Sequence, residues 1–530
     1  MLSRRTLLAT AAAVAASPVA AATPQVLRVG MTSADLPTVT GIPNNGGEGS
    51  RFLGFPVYDG VINWDFQHPN DIAEFTPGLF SEIRIDPANN LRWLCKVRAG
   101  VKFHDGTICD ADAIIWNFRR IFDDKAPQYD APAAPIVRAS VPMLAAFEKT
   151  GPDTIVLTTT YPFASLPYVL AGVKAASPTQ WDKLGKSWAE FAKAPIGTGP
   201  FRITKIAANQ YVEMSRFDGY WDTSRIPKLD KMIVYPMPEA TTRLAALRSG
   251  QVDWIEVPPP DAIPSLRAAG FQISLWPYPH TYPYVMNCQP GSPFADVRVR
   301  QAMNYAIDRE GMCKLINGTG KPAGGLYPEE SPMFGNPKNR YVYNPEKAKA
   351  LLKEAGYGPE KRLKARIMIS TSGSGQMVPI PMNEFMQQNL KAVGVDIEFA
   401  VVEWGAMLVA FRSATDAAAS MGCDAVNISL SYTDTSSMFR CYSTSAIAPK
   451  GWNWGHYKNA EVDALLDKAQ ATFVRAEQDR LLMLAHEKIV DDAAWLFMVH
   501  DLNPRAMSKK VHGFQPAQSW AQDFTKITMV

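Results

Sequence analysis

The chain is 530 residues long, enough for two or three domains with sizeable cores. Apolar residues make up 47% and charged residues 20%, the profile of a globular protein and not of a disordered or membrane-embedded one. A formal charge of +3, from 54 basic and 51 acidic residues, gives no footing for nucleic acid as a partner.

In chain order, the first 22 residues read as a targeting segment. Ser3-Arg4-Arg5-Thr6 precedes a short apolar run, Leu7 to Ala16, and then Ala20-Ala21-Ala22. This is a charged region, an apolar region and a small-residue cleavage site. The paired arginines resemble a twin-arginine export signal, although Leu7 stands where phenylalanine is commoner and Ala9 where lysine is. Export to the periplasm with cleavage near Ala22 is expected, leaving a mature charge of +1. No cysteine follows that site, so a lipid anchor is not expected, and no later apolar run reaches the ~18 residues of a membrane span.

Val26 to Met31 alternates as a first strand, followed by a polar, glycine-rich stretch around Asn44 to Gly49. Strands are predicted at Leu91 to Val97, Thr154 to Thr159, Lys231 to Pro236 and Val252 to Val257, with a strand-like segment from Phe201 to Ser215. Helices are predicted over Asp110 to Phe122, Glu239 to Ser249 and Asp296 to Glu310. Asn344-Pro345-Glu346 opens a further helix with a cap, a first-turn proline and an early acid, and Gly356 ends it. Leu363 to Ser370, Asn383 to Ala392 and Val395 to Val402 run strand, helix, strand, which implies a parallel sheet covered by helices. A long helical region spans Glu461 to Val490.

Six cysteines, at positions 95, 109, 288, 313, 423 and 441, leave their pairing open. Cys423 with Cys441, and then Cys95 with Cys109, are the first pairs to consider; buried free thiols are the equal alternative. His486-Glu487 lacks the second histidine of a zinc-protease helix, no nucleophile elbow occurs, and the seven histidines include no close metal-ligand pair. No catalytic residues, metal or cofactor are therefore expected.

Several segments together resemble the extracellular solute-binding proteins of family 5, the peptide, nickel and opine-type receptors of ABC importers. They are Val97-Arg98-Ala99-Gly100-Val101-Lys102-Phe103-His104-Asp105-Gly106-Thr107, Pro195-Ile196-Gly197-Thr198-Gly199-Pro200-Phe201, and Asp218-Gly219-Tyr220-Trp221. Ala245 to Asp253, Asp296 to Arg309 and Tyr343 to Tyr357 continue the series in order. One match would be weak; six in register over nearly the whole mature chain are specific.

The resemblance implies an α/β, two-lobed periplasmic binding protein fold of the hinged, Venus-flytrap type, with an extra inserted α/β domain. Transferred by position, lobe one would comprise residues 26–54, 198–272 and 504–530, the inserted domain 55–197, and lobe two 273–503. It further implies a monomer that captures a small organic solute between the lobes and passes it to ABC permease subunits in the inner membrane. A nickel or metal-chelate receptor, with His280 and His456 as ligands, and a periplasmic sensor or chaperone share this fold and stay open.

The motif residues themselves read as structural: His104-Asp105-Gly106 as a turn, Gly197-Thr198-Gly199 as another, and Arg298, Arg300, Asp308 and Arg309 as surface or interlobe ion pairs. Aromatic and small polar groups suit a pocket better. The candidates are Glu48 and Arg51 by the glycine-rich loop, Trp276 and Tyr284 (with Tyr278, His280 and Tyr282) at the start of lobe two, and Thr371 and Ser372 after a strand. Asn427, Tyr432, Asp434, Trp452, Asn453 and Trp454 complete the set. Peptide receptors of this family hold the ligand amine with an aspartate upstream of the element that here reads Asp434-Thr435. They hold the carboxylate with an arginine near the loop Thr371 to Gly375. Ser431, Tyr432 and Thr433 occupy the first region, and the loop contains no arginine. A free dipeptide is disfavoured on that ground, and a neutral or mixed polar–aromatic solute is expected.

Overall fold

A computed structural model describes residues 24–530, except 34–35, 37–38, 43–46, 139, 278 and 374. The predicted targeting segment, Tyr278 and most of the glycine-rich loop lie outside the described residues.

Two seven-stranded sheets organise the chain. In the first, Val26–Met31 pairs in parallel with Lys231–Pro236 on one side and Trp254–Glu256 on the other. The antiparallel hairpin Phe201–Ala207 and Tyr211–Arg216 extends one edge, while Arg505–Met507 and Gln272–Ser274 close the other. Leu27, Val29, Met31, Met232, Val234 and Trp254 are sealed in its core. The second sheet runs Gly320–Pro322, Trp495–Asp501, His280–Met286, Ala425–Asn427, Leu363–Ser370, Val395–Val402, with Leu430–Ser431 as a seventh, short strand also paired to His280–Met286. Every residue of His280–Met286 and Trp495–Asp501 is buried, as befits central strands covered on both faces. The expected strand–helix–strand unit closes in register from Leu363 opposite Val395 to Ser370 opposite Val402, through the helix Pro379–Ala392. The chain leaves the first sheet after Ser274, enters the second at His280, and returns between Asp501 and Arg505.

A four-stranded antiparallel sheet, Phe80–Asp86, Asn89–Val97, Thr154–Thr159 and Leu144–Lys149, packs with the helix Ala111–Phe122 around a separate core. Asp110 caps that helix, its carboxylate accepting from the Ala113 amide at 3.0 Å. The two turn motifs hold each other. His104 Nδ1 accepts from the Gly197 amide at 3.3 Å and Nε2 donates to the Gly199 carbonyl at 2.9 Å. A Cβ on Gly197 would lie 2.2 Å from the Val57 carbonyl oxygen, and one on Gly199 2.6 Å from that of Pro56. Close backbone approach, not ligand binding, accounts for the glycines.

Some expectations need correction. Asp296 to Glu310 is two helices, Val297–Tyr305 and Arg309–Leu315, because Asp308 caps the second by accepting from the Gly311 amide at 2.8 Å. The long helical region likewise divides into Ala460–Gln470 and Arg475–Asp491. All six cysteines are free, so neither the 423–441 nor the 95–109 pairing forms. Of the motif charges Arg298, Arg300, Asp308 and Arg309, Arg298 alone makes a surface ion pair among the described residues, with Asp296. Arg300 and Arg309 are buried and spend their guanidinium N–H groups on backbone carbonyls. A buried planar fork with five donors satisfies several chain segments at once. No helix among the described residues is long and apolar enough to cross a membrane.

Candidate functional site

A cavity of about 420 Å³ lies between the two halves, with walls drawn from both. One wall combines Gly41, Ser50, Gly54, Phe55, Trp64, Tyr168, Lys174 and, from the returning C-terminal segment, Ser519 to Ala521. The other presents His280, Trp404, Leu408, Arg412, Ser429 to Ser431, Thr433, Asp434, Arg440 and Trp452.

Local structure explains which side chains reach it. Residues 47–57 form a continuous helical stretch with a wider turn over Ser50–Gly54. Ser50 and Gly54, one turn apart, face the cavity, while Arg51 points away. Arg51 instead joins a buried ion cluster with Glu256 and Arg505, to which Trp254 Nε1 adds a 2.8 Å hydrogen bond on Glu256. Burial alone would raise the Glu256 carboxyl; Arg505 and Arg51 hold it below its ordinary value. Arg51 Nε donates to the Trp520 carbonyl at 2.7 Å and its guanidinium lies 4.9 Å from the Trp520 ring. Arg51 therefore positions a cavity residue. Glu48 is also buried behind the wall, accepting from Thr32 Oγ1 at 2.6 Å, its carboxyl raised by burial and by Glu256.

On the other wall, Glu403 caps the helix Trp404–Phe411 directly after the strand Val395–Val402 and so turns Trp404 to the sheet's carboxyl end. The glycines of the polar loop have a packing role. A Cβ on Gly373 would meet the Trp404 ring at 2.5 Å, and one on Gly375 would meet His280 at the same distance. Thr371 and Ser372 are exposed beside them and do not line the cavity. Asp434 accepts from the Ser436 amide at 2.8 Å and from Arg440 Nη2 at 3.1 Å, and the Arg440 guanidinium lies 5.0 Å from the Trp452 ring centroid.

Of the other candidates, Tyr284 and Asn427 are in the second core, joined through Asn383: Tyr284 donates to Asn383 Oδ1 at 2.6 Å and Asn383 Nδ2 donates to Asn427 Oδ1 at 3.2 Å. Asn453 braces a loop by donating to the Ser443 and Tyr457 carbonyls, and Trp454 is fully buried. Tyr432 and Asp501 line a different cleft of about 910 Å³, with Asp65, Glu74, Arg475 and Asp479. Trp276 Nε1 donates to the Pro69 carbonyl at 2.8 Å and so ties the crossing segment to the first half. His280, Asp434 and Trp452 are thus the three named candidates on the cavity wall.

Sequence reading missed Phe55, Trp64, Lys174, Trp404, Arg440 and Trp520. Lys174 had a signal: a lone lysine in the apolar run Tyr168 to Ala176. Its side chain is 4% exposed, its ammonium lies 3.6 Å from the Phe55 ring centroid, and Nζ has no hydrogen-bond partner among the described residues. Burial lowers it to about 7, with the Asp59 charge opposing and Arg225 assisting.

His280 and His456 do not share a neighbourhood. His280 stacks edge-on to Trp520 at 5.1 Å, whereas His456 bonds Gln289 at 2.9 Å. Among the described residues no group of three His, Cys, Asp or Glu side chains could hold a metal ion.

The halves meet around the cavity. Arg475 pairs with Glu74 at 2.7 Å and also donates to the Tyr168 hydroxyl, and the Ala164 amide donates to the Gln470 carbonyl at 2.7 Å. Two sheet-centred lobes closed over a mixed aromatic and charged chamber define a hinged solute-binding protein. The chain belongs to the bacterial extracellular solute-binding proteins, family 5, whose middle region matches residues 74–449. It is 28% identical over 518 residues to the glutathione-binding protein GsiB of Pectobacterium atrosepticum, covering 95% of this chain and 93% of that one. The Escherichia coli K12 GsiB is 28% identical over 433 residues, 80% of this chain and 81% of that one. Among solved structures, the periplasmic binding protein DppA of Helicobacter pylori with the peptide STSA superposes with a TM-score of 0.80 at 23% identity, covering 95% of this chain and 98% of that one. The dipeptide-binding protein of Pseudoalteromonas sp. SM9913 with Met-Leu gives 0.80 at 22%, covering 96% and 100%. These structural likenesses speak for the fold.

Proposed function

We propose that this protein is the periplasmic receptor of an ABC importer, capturing a small, peptide-like or other polar–aromatic organic solute between its lobes and handing it to the permease. The observation that carries this reading is the chamber of about 420 Å³ walled by both lobes and faced by Phe55, Trp404, Trp452 and Trp520. A ligand that touches both walls stabilises the closed arrangement by contacts absent when the lobes part, which is the coupling an importer reads. The two crossings, between Ser274 and His280 and between Asp501 and Arg505, serve as the hinge in this reading. In this reading residues 26–54, 198–272 and 504–530 form the first lobe, 55–197 the inserted domain and 273–503 the second lobe.

Binding of glutathione by GsiB relatives supports a peptide-like solute. The wall differs from a free-dipeptide clamp, since Asp434 is already paired with Arg440. Thermal-shift screening of glutathione, dipeptides, opines, sugars and nickel chelates, followed by small-angle scattering of each hit, tests the reading. The expected result is a solute that both stabilises and compacts the protein. Hits confined to unmodified dipeptides would refute the specificity assigned here, and a verified ligand that leaves the radius of gyration unchanged would refute the receptor mechanism.

A further inference from the structure

We infer that Lys174 is the anchor for an anionic group on the ligand, so that the solute is an organic carboxylate whose apolar or aromatic body lies against Trp404, Trp452 and Trp520. This rests on the receptor reading above and names the class of solute.

Three features of the geometry support it. First, Lys174 is a buried amine on the cavity wall with no acceptor for its N–H groups among the described residues. Burying an amine without a partner costs free energy, and such groups are retained where a partner arrives later. Second, besides the Lys174 amine the wall carries two guanidinium groups, Arg412 and Arg440, against one carboxylate, Asp434, which Arg440 already engages. The chamber is therefore short of negative charge. Third, the nearby acid does not fill the role. Asp59 accepts from the Tyr220 hydroxyl at 2.9 Å, Trp221 Nε1 at 2.8 Å and Asn63 Nδ2 at 3.3 Å, and makes no ion pair with Lys174 within bonding distance. The Arg225 charge opposes the pull of Asp59 on Lys174. The remaining titratable side chains on the wall, His280 and Tyr168, are both held neutral, His280 by burial and the Arg51 charge and Tyr168 by burial.

A carboxylate placed beside the Lys174 ammonium supplies the missing acceptor and turns an unpartnered amine into a charge-assisted pair. It also changes protonation. In the empty chamber burial holds Lys174 at about 7, so above neutrality it is largely uncharged. An arriving anion raises that value, and the complex takes up a proton from solvent. This reassigns the acid-recognition role: the loop Thr371 to Gly375 lacks an arginine, and the cation comes from the opposite wall.

The test uses the full mature chain with glutathione, Met-Leu, N-acetyl-tryptophan and the carboxamide of each as probes. Calorimetry at about pH 8 in two buffers of different ionisation heat measures affinity and proton uptake together. At least one acid is expected to bind about 30-fold more tightly than its amide, the worth of one charge-assisted hydrogen bond. Uptake is expected to approach one proton at about pH 8 and vanish near pH 6. Lys174→Met should abolish both the preference and the uptake while melting no lower than the parent, because an apolar chain of similar length suits that site. Equal binding of acid and amide, or acid binding unaltered in Lys174→Met, would overturn the assignment. Binding of uncharged probes alone would overturn it and leave the receptor reading standing, whereas no compaction with any probe or screened solute would overturn both.

Discussion

Two buried cations, one in the second lobe and one on the cavity wall, meet opposite fates. Arg309 donates to the carbonyls of Ala323 at 2.8 Å, Phe497 at 3.0 Å, and Asn304 and Tyr341 at 2.9 Å, and to Asn304 Oδ1 at 3.0 Å. Lys174, equally hidden, has an aromatic face and no hydrogen-bond acceptor among the described residues. Burial lowers both, Arg309 to about 10 and Lys174 to about 7. A guanidinium saturated by the backbone is part of the scaffold, fixing where strand, helix and loop meet. An ammonium left without an acceptor is a group held ready. The contrast separates fold from function among residues that burial alone would class together.

The sharpest way to break this comparison is to delete each cation. Arg309→Met strands several buried carbonyls and is expected to cost about 3–4 kcal/mol in urea unfolding. Lys174→Met should leave the urea midpoint unchanged or raised; a loss as large as that of Arg309→Met would erase the distinction. An intermediate effect comes with acid. His486 Nε2 accepts from the Leu326 amide at 3.0 Å while Nδ1 donates to the Phe334 carbonyl at 2.9 Å, a neutral ring in a dry site. Burial holds it near 4, against 6.5 for an ordinary histidine, so the unfolded chain takes up its proton first. Stability is therefore full above about pH 6.5 and falls as pH drops towards 4, and His486→Gln should flatten that slope in unfolding midpoints measured against pH. The smallest effect belongs to the surface pair. Arg298→Ala removes a solvent-exposed contact with Asp296 and should leave the thermal midpoint where it was.

Much of the scaffold was legible. Val26–Met31, Thr154–Thr159, Lys231–Pro236, Leu363–Ser370 and Val395–Val402 are strands with the bounds that alternation and flanking glycine or proline imply. Asn344 caps its helix as its position before Pro345 suggests, accepting from the Lys347 amide at 2.9 Å. The site was far less legible. Trp454 and Asn453 look like pocket residues beside Trp452, yet they face the second core. Glu48 and Arg51 flank the right segment, but the helical turn aims Ser50 and Gly54 at the chamber instead. Arg300 and Arg309 read as ion-pair partners because sequence shows a charge and not the carbonyls that will surround it.

The sequence by itself determined the family and the structural role of the turn glycines, through alternation, caps and motifs in fixed order, and the two-lobed plan followed from the family resemblance. Only the tertiary structure decided which residues face the chamber. Its walls are assembled from Phe55, Lys174, Trp404, Arg440 and Trp520, segments hundreds of residues apart in some cases, and side-chain direction at each depends on helix phase and on what packs behind. Whether a buried charge is satisfied or waiting is likewise a property of the surrounding backbone, which no single segment encodes.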